Sequence, residues 1–421
     1  MAFGVVRLGI GIFLLAVLYF SQRFWFRSFF RLGDRLHSEK WRHAVHGLAI
    51  ATLSFLIIGL VDRIFGLHWL GRGRVAGVFI AILQLWVLSS MLAYLFFRAV
   101  RAVEYVWRGI KRVAIRRNAE APDPERRNFF RATARLAAAV PIVAGIYGYA
   151  AERFNFQIRK VDIPVANLPE ALDGFKIVQL SDIHIGDFMP REEVARAIDM
   201  ANELGAHVAM VTGDFITGHN DPLAGCIEEI ARLRVPLGIW GCNGNHEIYA
   251  EAEDEAQLLF ARHGMKLLRD ERTELKWHGA KLNLIGVDYQ RDHMVSGPKP
   301  PMLAGVESLI RRDMPNVLLS HNPNSFYKAA ELGIELSLAG HSHGGQVNVE
   351  ILDRRVNPSR FITEFIAGLY RLPIGSAASN AQGKSARQHA SLYVNRGLGT
   401  IGLPARLGVD PEISLLTLRQ A

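Results

Sequence analysis

The sequence predicts an all-α membrane-spanning region of three to four helices followed by a layered α/β domain. Two observations carry this reading. The first third of the chain holds long apolar stretches, whereas from Phe154 onward short apolar runs of strand type alternate with helical patterns. Charge divides at the same place. Residues 1–150 hold 21 Lys and Arg against 7 Asp and Glu, while residues 151–421 hold 28 against 33. The net charge of +9 therefore belongs to the first third alone. No basic run with interleaved aromatics follows residue 160, so nucleic acid is not expected as a partner. At 421 residues the chain suggests two or three domains. Its two cysteines, Cys226 and Cys242, exclude a disulfide framework and a cysteine zinc site, and they read as free thiols.

The membrane region is assigned to residues 1–151. Stretches 3–20, 44–61 and 75–97 are long and apolar, and the third carries no charge. About 20 such residues span a bilayer core. Stretch 137–151 is shorter and rich in Gly and Ala. Loop 21–43 carries six Lys or Arg, loop 62–74 three and loop 98–131 ten. The positive-inside rule places the first and third loops in the cytoplasm. A fourth crossing then delivers everything after residue 151 to the outer side, and three crossings would keep it inside. The run Arg126-Arg127-Asn128-Phe129-Phe130-Arg131 before the fourth stretch resembles a twin-arginine export signal. The expected location is a multi-pass protein of the inner membrane with its second domain periplasmic or otherwise extracytoplasmic.

Residues 152–171 read as a linker and residues 172–421 as the second domain. Strands are expected at 176–180, 208–211, 237–240, 282–287, 317–319 and 336–339. Helices are expected at 191–204, 224–233, 251–262, 303–311 and 325–332, with a surface loop at 298–301. Five strands end in polar clusters. These are Asp182-Ile183-His184, Gly213-Asp214, Gly244-Asn245-His246-Glu247, His321-Asn322-Pro323 and Gly340-His341-Ser342-His343-Gly344-Gly345-Gln346. Open α/β sheets bind ligands at the carboxyl ends of their strands, so the clusters should converge. Asp182, Asp214, Asn245, His184, His321, His341 and His343 offer oxygen and nitrogen without thiolate. That set suits two divalent metal ions such as Mn, Fe or Zn. One carboxylate bridging both is the arrangement of two-metal hydrolases.

The ordered series D-x-H, G-D, G-N-H-E, lone His and G-H-x-H resembles the calcineurin-like metallophosphoesterase superfamily over residues 172–421. The resemblance implies a two-sheet sandwich flanked by helices and hydrolysis of phosphoesters by a metal-activated hydroxide. Carried over by position, it implies one metal on Asp182, His184, Asp214 and His343. The other falls on Asp214, Asn245, His321 and His341, with His246 contacting the phosphate and protonating the leaving oxygen. Glu247 stands where the family commonly has aspartate, and either carboxylate could accept the His246 ring N–H. The H-G-G-Q ending, the run Tyr393-Val394-Asn395-Arg396-Gly397-Leu398-Gly399 and Pro411-Glu412-Ile413 resemble a bacterial membrane-anchored phosphodiesterase branch. Some related enzymes cleave UDP-2,3-diacylglucosamine at the cytoplasmic face, which is the alternative reading and makes a lipidic or nucleotide-linked phosphoester substrate conceivable. A transporter or sensor with a non-catalytic domain is the alternative from another class. The intact ligand set opposes it.

The remaining ten histidines lack motif context. Asn322 and Gln346 flank candidate ligands and could orient them. Arg396, in a glycine-rich turn after a strand, could meet a substrate phosphate. Residues 360–371 place Phe361, Phe365 and Leu369 on one stripe and read as an amphipathic helix, packed on the core or leaning on the membrane.

Overall fold

A computed structural model describes residues 2–65, 74–114, 124–290, 302–351, 354–361, 363–374 and 388–421. The chain divides into two compact units, Met1–Tyr147 and Gly148–Ala421. The loop expected at 298–301 lies outside the described residues.

The first unit is helical, with α1 (Ala2–Asp34), α2 (Glu39–Phe65), α3 (Arg74–Ala114) and α4 (Pro124–Tyr147). Three segments, Glu39–Gly59, Val75–Trp107 and Asn128–Glu152, are long and apolar enough to cross a membrane. Stretch 3–20 lies in α1, where the side chains of residues 1–8 and 10 are outside the described set, as are those of Arg126 and Arg127 in α4. The helices turn large apolar side chains outward. Leu15, Leu48, Val75 and Leu136 are each about two-thirds exposed or more. A soluble bundle buries such groups, so this surface fits lipid. Between α1 and α3 the contact is polar as well as apolar. Trp25 Nε1 donates to the Ser90 carbonyl (2.9 Å), Gln22 Nε2 to Ser90 Oγ (2.9 Å) and Trp86 Nε1 to Gln22 Oε1 (3.0 Å). Such bonds join helices where lipid offers no competing partner.

The second unit runs β1 (Gln157–Val165), β2 (Lys176–Leu180), α5 (Arg191–Asn202), β3 (Val208–Thr212), α6 (Leu223–Ile230), β4 (Ile239–Cys242), α7 (Asn245–Tyr249), α8 (Glu253–Arg262) and β5 (Lys266–Leu267). It continues with β6 (Glu271–Trp277), β7 (Ala280–Gly286), β8 (Asn316–Leu319), α9 (Phe326–Leu332) and β9 (Leu336–Ala339). The last elements are β10 (Val349–Ile351), β11 (Arg354–Val356), β12 (Gly368–Pro373), β13 (His389–Val394) and β14 (Glu412–Gln420). Two mixed six-stranded sheets result, ordered β1-β14-β2-β3-β4-β5 and β12-β13-β9-β8-β7-β6.

Alternation along the strands sorts side chains into layers. Ile177, Val208 and Met210 of the first sheet meet Leu284, Val317, Leu336 and Leu338 of the second in one core. The opposite faces carry Val178, Ala209 and Val211 against α5, α6 and α8, and Leu318, Ala339 and Leu392 against α9. Strands buried on both faces read as unbroken apolar runs, which is why β2, β3, β8 and β9 were visible in the sequence. Buried Gln179 joins the sheets, donating from Nε2 to Thr212 Oγ1 (3.1 Å) and to the Ala339 carbonyl (3.0 Å).

Three expectations are corrected. The presumed linker 152–171 contains β1, which pairs in parallel with β14 along its whole length. The helix expected at 303–311 is a short 3-10 turn, Val306–Leu309. The amphipathic helix expected at 360–371 does not form. A 3-10 turn, Pro358–Phe361, precedes β12, which pairs antiparallel with β13 and begins at Gly368 with φ 88°. Phe365 is buried against Phe326, Tyr327 and Tyr370, and ladder pairing to β13 outweighs the local helical pattern.

Candidate metal centre

The five polar clusters meet at the carboxyl ends of β2, β3, β4, β8 and β9. Asp182 and His184 follow β2, Asp214 follows β3, and Asn245 with His246 opens α7 after β4. His321 follows β8, and His341 with His343 follows β9. Backbone bonds tie the loops together. Asp182 N–H donates to the Gly213 carbonyl (3.1 Å), His184 N–H to the Asp214 carbonyl (3.0 Å) and Gly340 N–H to the His321 carbonyl (3.1 Å). Two glycines allow the close approach. A Cβ on Gly340 would lie 2.2 Å from Asp182 Oδ2, and one on Gly244 would lie 2.1 Å from Asp214 Oδ1.

Asp182, His184, Asp214, His341 and His343 all have φ between 49° and 70°. Such left-handed backbone is uncommon outside glycine and persists only where the surroundings enforce it. Nothing in the sequence announces it.

Two groups could each hold an ion, Asp182, His184, Asp214 and His343 in one and Asp214, His321 and His341 in the other. Asp214 is common to both. His343 Nε2 lies 3.2 Å from Asp182 Oδ1 and 3.1 Å from His184 Nε2, and His321 Nε2 lies 3.1 Å from Asp214 Oδ2. Asn245 is also at the site and buried.

The donor chemistry fits cations. His184 Nδ1 is 2.9 Å from the Ile216 carbonyl and His321 Nδ1 is 2.6 Å from that of Thr212. A carbonyl only accepts, so both Nδ1 atoms carry a hydrogen, and in the neutral form of each ring Nε2 presents a lone pair inward. Asn245 Oδ1 is buried with no donor. Asp182 and Asp214 are buried, and among the described residues neither pairs with Lys or Arg. Buried carboxylates and lone pairs aimed at one another need positive charge between them.

Ionisation follows the same logic. Burial pushes His184 down to about 3 and His341 down to about 4, and holds His343 well below its ordinary value. These rings stay neutral, the form in which an imidazole can bind a metal. Burial lifts the Asp182 carboxyl to about 6. Burial also pushes Asp214 up, but His321, His184 and His246 outweigh it and hold the carboxyl well below the usual range. For the metal-free His321 ring, burial pulls downward, yet Asp214, Asp182 and the Thr212 carbonyl raise it to about 10.

Glu247 corrects a further expectation. Its carboxylate does not touch the His246 ring. It accepts from the backbone N–H groups of Asp214 (2.8 Å), Gly244 (2.8 Å), Phe215 (2.8 Å) and Ile216 (3.3 Å). The His246 ring instead sets Nδ1 2.7 Å from the Thr217 carbonyl, and its edge meets His184 with centroids 4.8 Å apart. Arg396 is ion-paired with buried Glu412 rather than presented to a substrate. Asn322 caps a turn by accepting from Asn324 N–H (3.0 Å), and Gln346 bonds Leu403 and Ile401, so both brace loops. Tyr289, whose ring lies 5.4 Å from His341 and 5.9 Å from His321, had no sequence signal. Cys226 and Cys242 are buried free thiols that burial pushes upward.

Residues 175–345 match the family described as Calcineurin-like phosphoesterase. A Danio rerio "Transmembrane protein with metallophosphoesterase domain" is 32% identical over 300 residues, covering 68% of this chain and 62% of that protein. The "Uncharacterized metallophosphoesterase YkuE" of Bacillus subtilis is 28% identical over 292 residues, covering 68% of this chain and 93% of that one. A Bos taurus protein with the same name as the fish relative is 28% identical over 297 residues, with 68% and 62% covered. The chain thus spans less than two thirds of the vertebrate relatives, and its relatives are not confined to bacteria. The apolar helices of the first unit and the transmembrane names of these relatives mark a membrane protein. Residues 175–345, which carry every candidate ligand, are thus similar to the calcineurin-like phosphoesterase family.

Proposed function

We propose that this chain is a membrane-anchored hydrolase of phosphoesters, of phosphodiesterase type, with a dinuclear centre. Asp182, His184, Asp214 and His343 hold one divalent ion, and Asp214, Asn245, His321 and His341 hold the other. Asp214, shared by both convergent groups, is the observation that carries this reading. Bound Mn, Fe or Zn would supply Lewis acidity toward the phosphoryl oxygens and lower the pKa of a water. The chain's own part is orientation. His184 and His321 are fixed by carbonyls at Nδ1, and Glu247 anchors the Asp214 backbone through four amides. His246, anchored at Nδ1 by Thr217, keeps Nε2 for proton transfer to the leaving oxygen. The catalytic domain faces the extracytoplasmic side, supported by the positive charge of loop 98–131 and by the candidate span Asn128–Glu152 that follows this loop, a crossing that leads outward whether or not α1 also spans. A lipid substrate loses the support of the 360–371 segment, which is a 3-10 turn and an edge strand with Phe365 buried beside it rather than an amphipathic helix.

The test is hydrolysis by the full-length protein in detergent with Mn(II), against monoester, diester and pyrophosphate substrates. Diester turnover that disappears on chelation and returns with metal is expected. Absence of phosphoester hydrolysis with full metal loading would overturn the proposal. A reporter fused after residue 421 checks the topology, and an alkaline phosphatase fusion should be active while a cytoplasmic-only fluorophore stays dark.

A further inference from the structure

Arg406 is fully buried, yet no carboxylate lies within ion-pair distance of it among the described residues. Taking a guanidinium out of water costs several kcal/mol unless the surroundings solvate it. Here carbonyl oxygens do so. Nη2 donates to the carbonyls of Arg396 (2.9 Å), Gly397 (3.0 Å) and Gly399 (2.6 Å). Three acceptors from one four-residue turn thus share the two hydrogens of a single nitrogen, while Nη1 reaches the Val409 carbonyl (3.5 Å) and Nε has no hydrogen-bond partner among the described residues.

The other side of that turn faces the candidate centre. Leu398 N–H donates to the Ser181 carbonyl (3.0 Å) and Gly399 N–H to the Asp182 carbonyl (2.7 Å). Packing is equally close, since a Cβ on Gly397 would fall 2.6 Å from Asp182 Cβ and one on Gly399 2.2 Å from the Ile183 carbonyl. The turn's carbonyls are held by Arg406, while its amides hold the carbonyls of Ser181 and Asp182 at the start of the 182–184 segment. That segment has φ 49° at Asp182 and 51° at His184, a backbone that relaxes unless clamped.

We propose that Arg406 is a positioning residue for the Asp182 and His184 half of the centre, acting through the 396–399 turn. The proposal rests on the two-ion reading above. Arg406 touches neither ion nor substrate, and its effect is selective. The group containing Asp182, His184 and His343 depends on it, whereas Asn245 and His321 are held by other loops and His341 meets Asp182 only through its backbone N–H (3.0 Å). A lysine at this position keeps the charge, but its nitrogen ends one bond short of Nη2 and it has no counterpart to the Nη1 contact with the Val409 carbonyl (3.5 Å), so it cannot reach all the carbonyls that the guanidinium holds.

The experiment is a Mn(II) titration of the full-length protein by calorimetry and electron paramagnetic resonance, with wild type, Arg406→Lys and Arg406→Met. Wild type should take up two ions and show an exchange-coupled pair. Arg406→Lys should weaken one ion about 10-fold and Arg406→Met about 100-fold, with the second ion unchanged, as for other groups that orient ligands from behind. Turnover should return at high Mn(II) in Arg406→Lys, a rescue that a general loss of stability would not give. If Arg406→Met does not fold, the lysine variant decides. Variants that bind both ions as wild type does, even with a lowered melting temperature, would overturn the role of Arg406. Wild type that binds fewer than two ions would instead sink the dinuclear reading and this proposal with it.

Discussion

The two sheets have the same strand count and closely similar pairing, yet they supply different chemistry to the centre. The first sheet delivers Asp182, His184, Asp214 and Asn245, and hence all the oxygen donors. The second delivers only imidazoles, His321, His341 and His343. The first half is also the more heavily braced. Glu247 collects four amides behind Asp214, and the 396–399 turn backs Asp182. Charged oxygen donors repel one another and need rigid support, whereas of the second sheet's imidazoles His321 is fixed by one carbonyl contact at Nδ1 and His343 Nδ1 has no hydrogen-bond partner among the described residues. Asp214 is where the halves meet.

Breaking that junction should have the largest effect. Asp214→Asn is expected to lower kcat at least 10³-fold and to leave at most one ion per chain, read by steady-state kinetics and metal analysis. Next comes His246→Ala, which belongs to neither group of ligands. It should cost about 10²-fold in kcat with both ions retained, the magnitude of a lost general acid. Glu247→Gln tests the bracing of the first half. One carboxylate oxygen becomes an amide NH₂ facing backbone N–H groups, and about 1–3 kcal/mol of stability should be lost. Denaturant unfolding measures it, and an equal effect from His321→Gln on metal-free protein would remove the asymmetry.

The smallest effect is in pH dependence of metal-free protein. His184 at about 3 and His341 at about 4 lie below the ordinary 6.5, so the unfolded chain binds more protons. Their contribution is present above pH 6.5 and is lost as pH falls toward 4. His321, raised to about 10, behaves oppositely and its contribution is lost as pH rises from 6.5 through 10. Asp182 and Glu247, lifted to about 6 and about 7, lose their contribution as pH rises from about 4 and so oppose the acid limb. The melting temperature of chelator-treated protein should therefore fall as pH rises from 7 through 10. Metal should flatten the alkaline limb, because a bound ion replaces the His321 proton.

The convergence of the centre was legible because each cluster ends a strand buried on both faces, where apolar runs are unbroken and polar residues stand out. β1 was not legible. Its residues Arg159, Lys160 and Asp162 are a solvent-facing edge, and the segment declares itself as a strand only through pairing with β14, some 250 residues away. Residues 360–371 carry a helical pattern that the β12 ladder overrides. The bracing was invisible for a related reason. Arg406 in Pro404-Ala405-Arg406-Leu407 looks like a surface arginine, and only the fold brings it to the 396–399 carbonyls. Glu247 sat in a recognised motif, where its bond to Gly244 N–H is local, but its other three amide partners, Asp214, Phe215 and Ile216, lie 31 to 33 residues away and sequence spacing does not connect them.

The most direct test of the central claim is the number and coupling of ions bound by full-length wild-type protein. Two Mn(II) per chain with an exchange-coupled resonance signal, reduced to an uncoupled signal in Asp214→Asn, is the predicted result. A single uncoupled ion in wild type, or a coupled pair that survives Asp214→Asn, would contradict it.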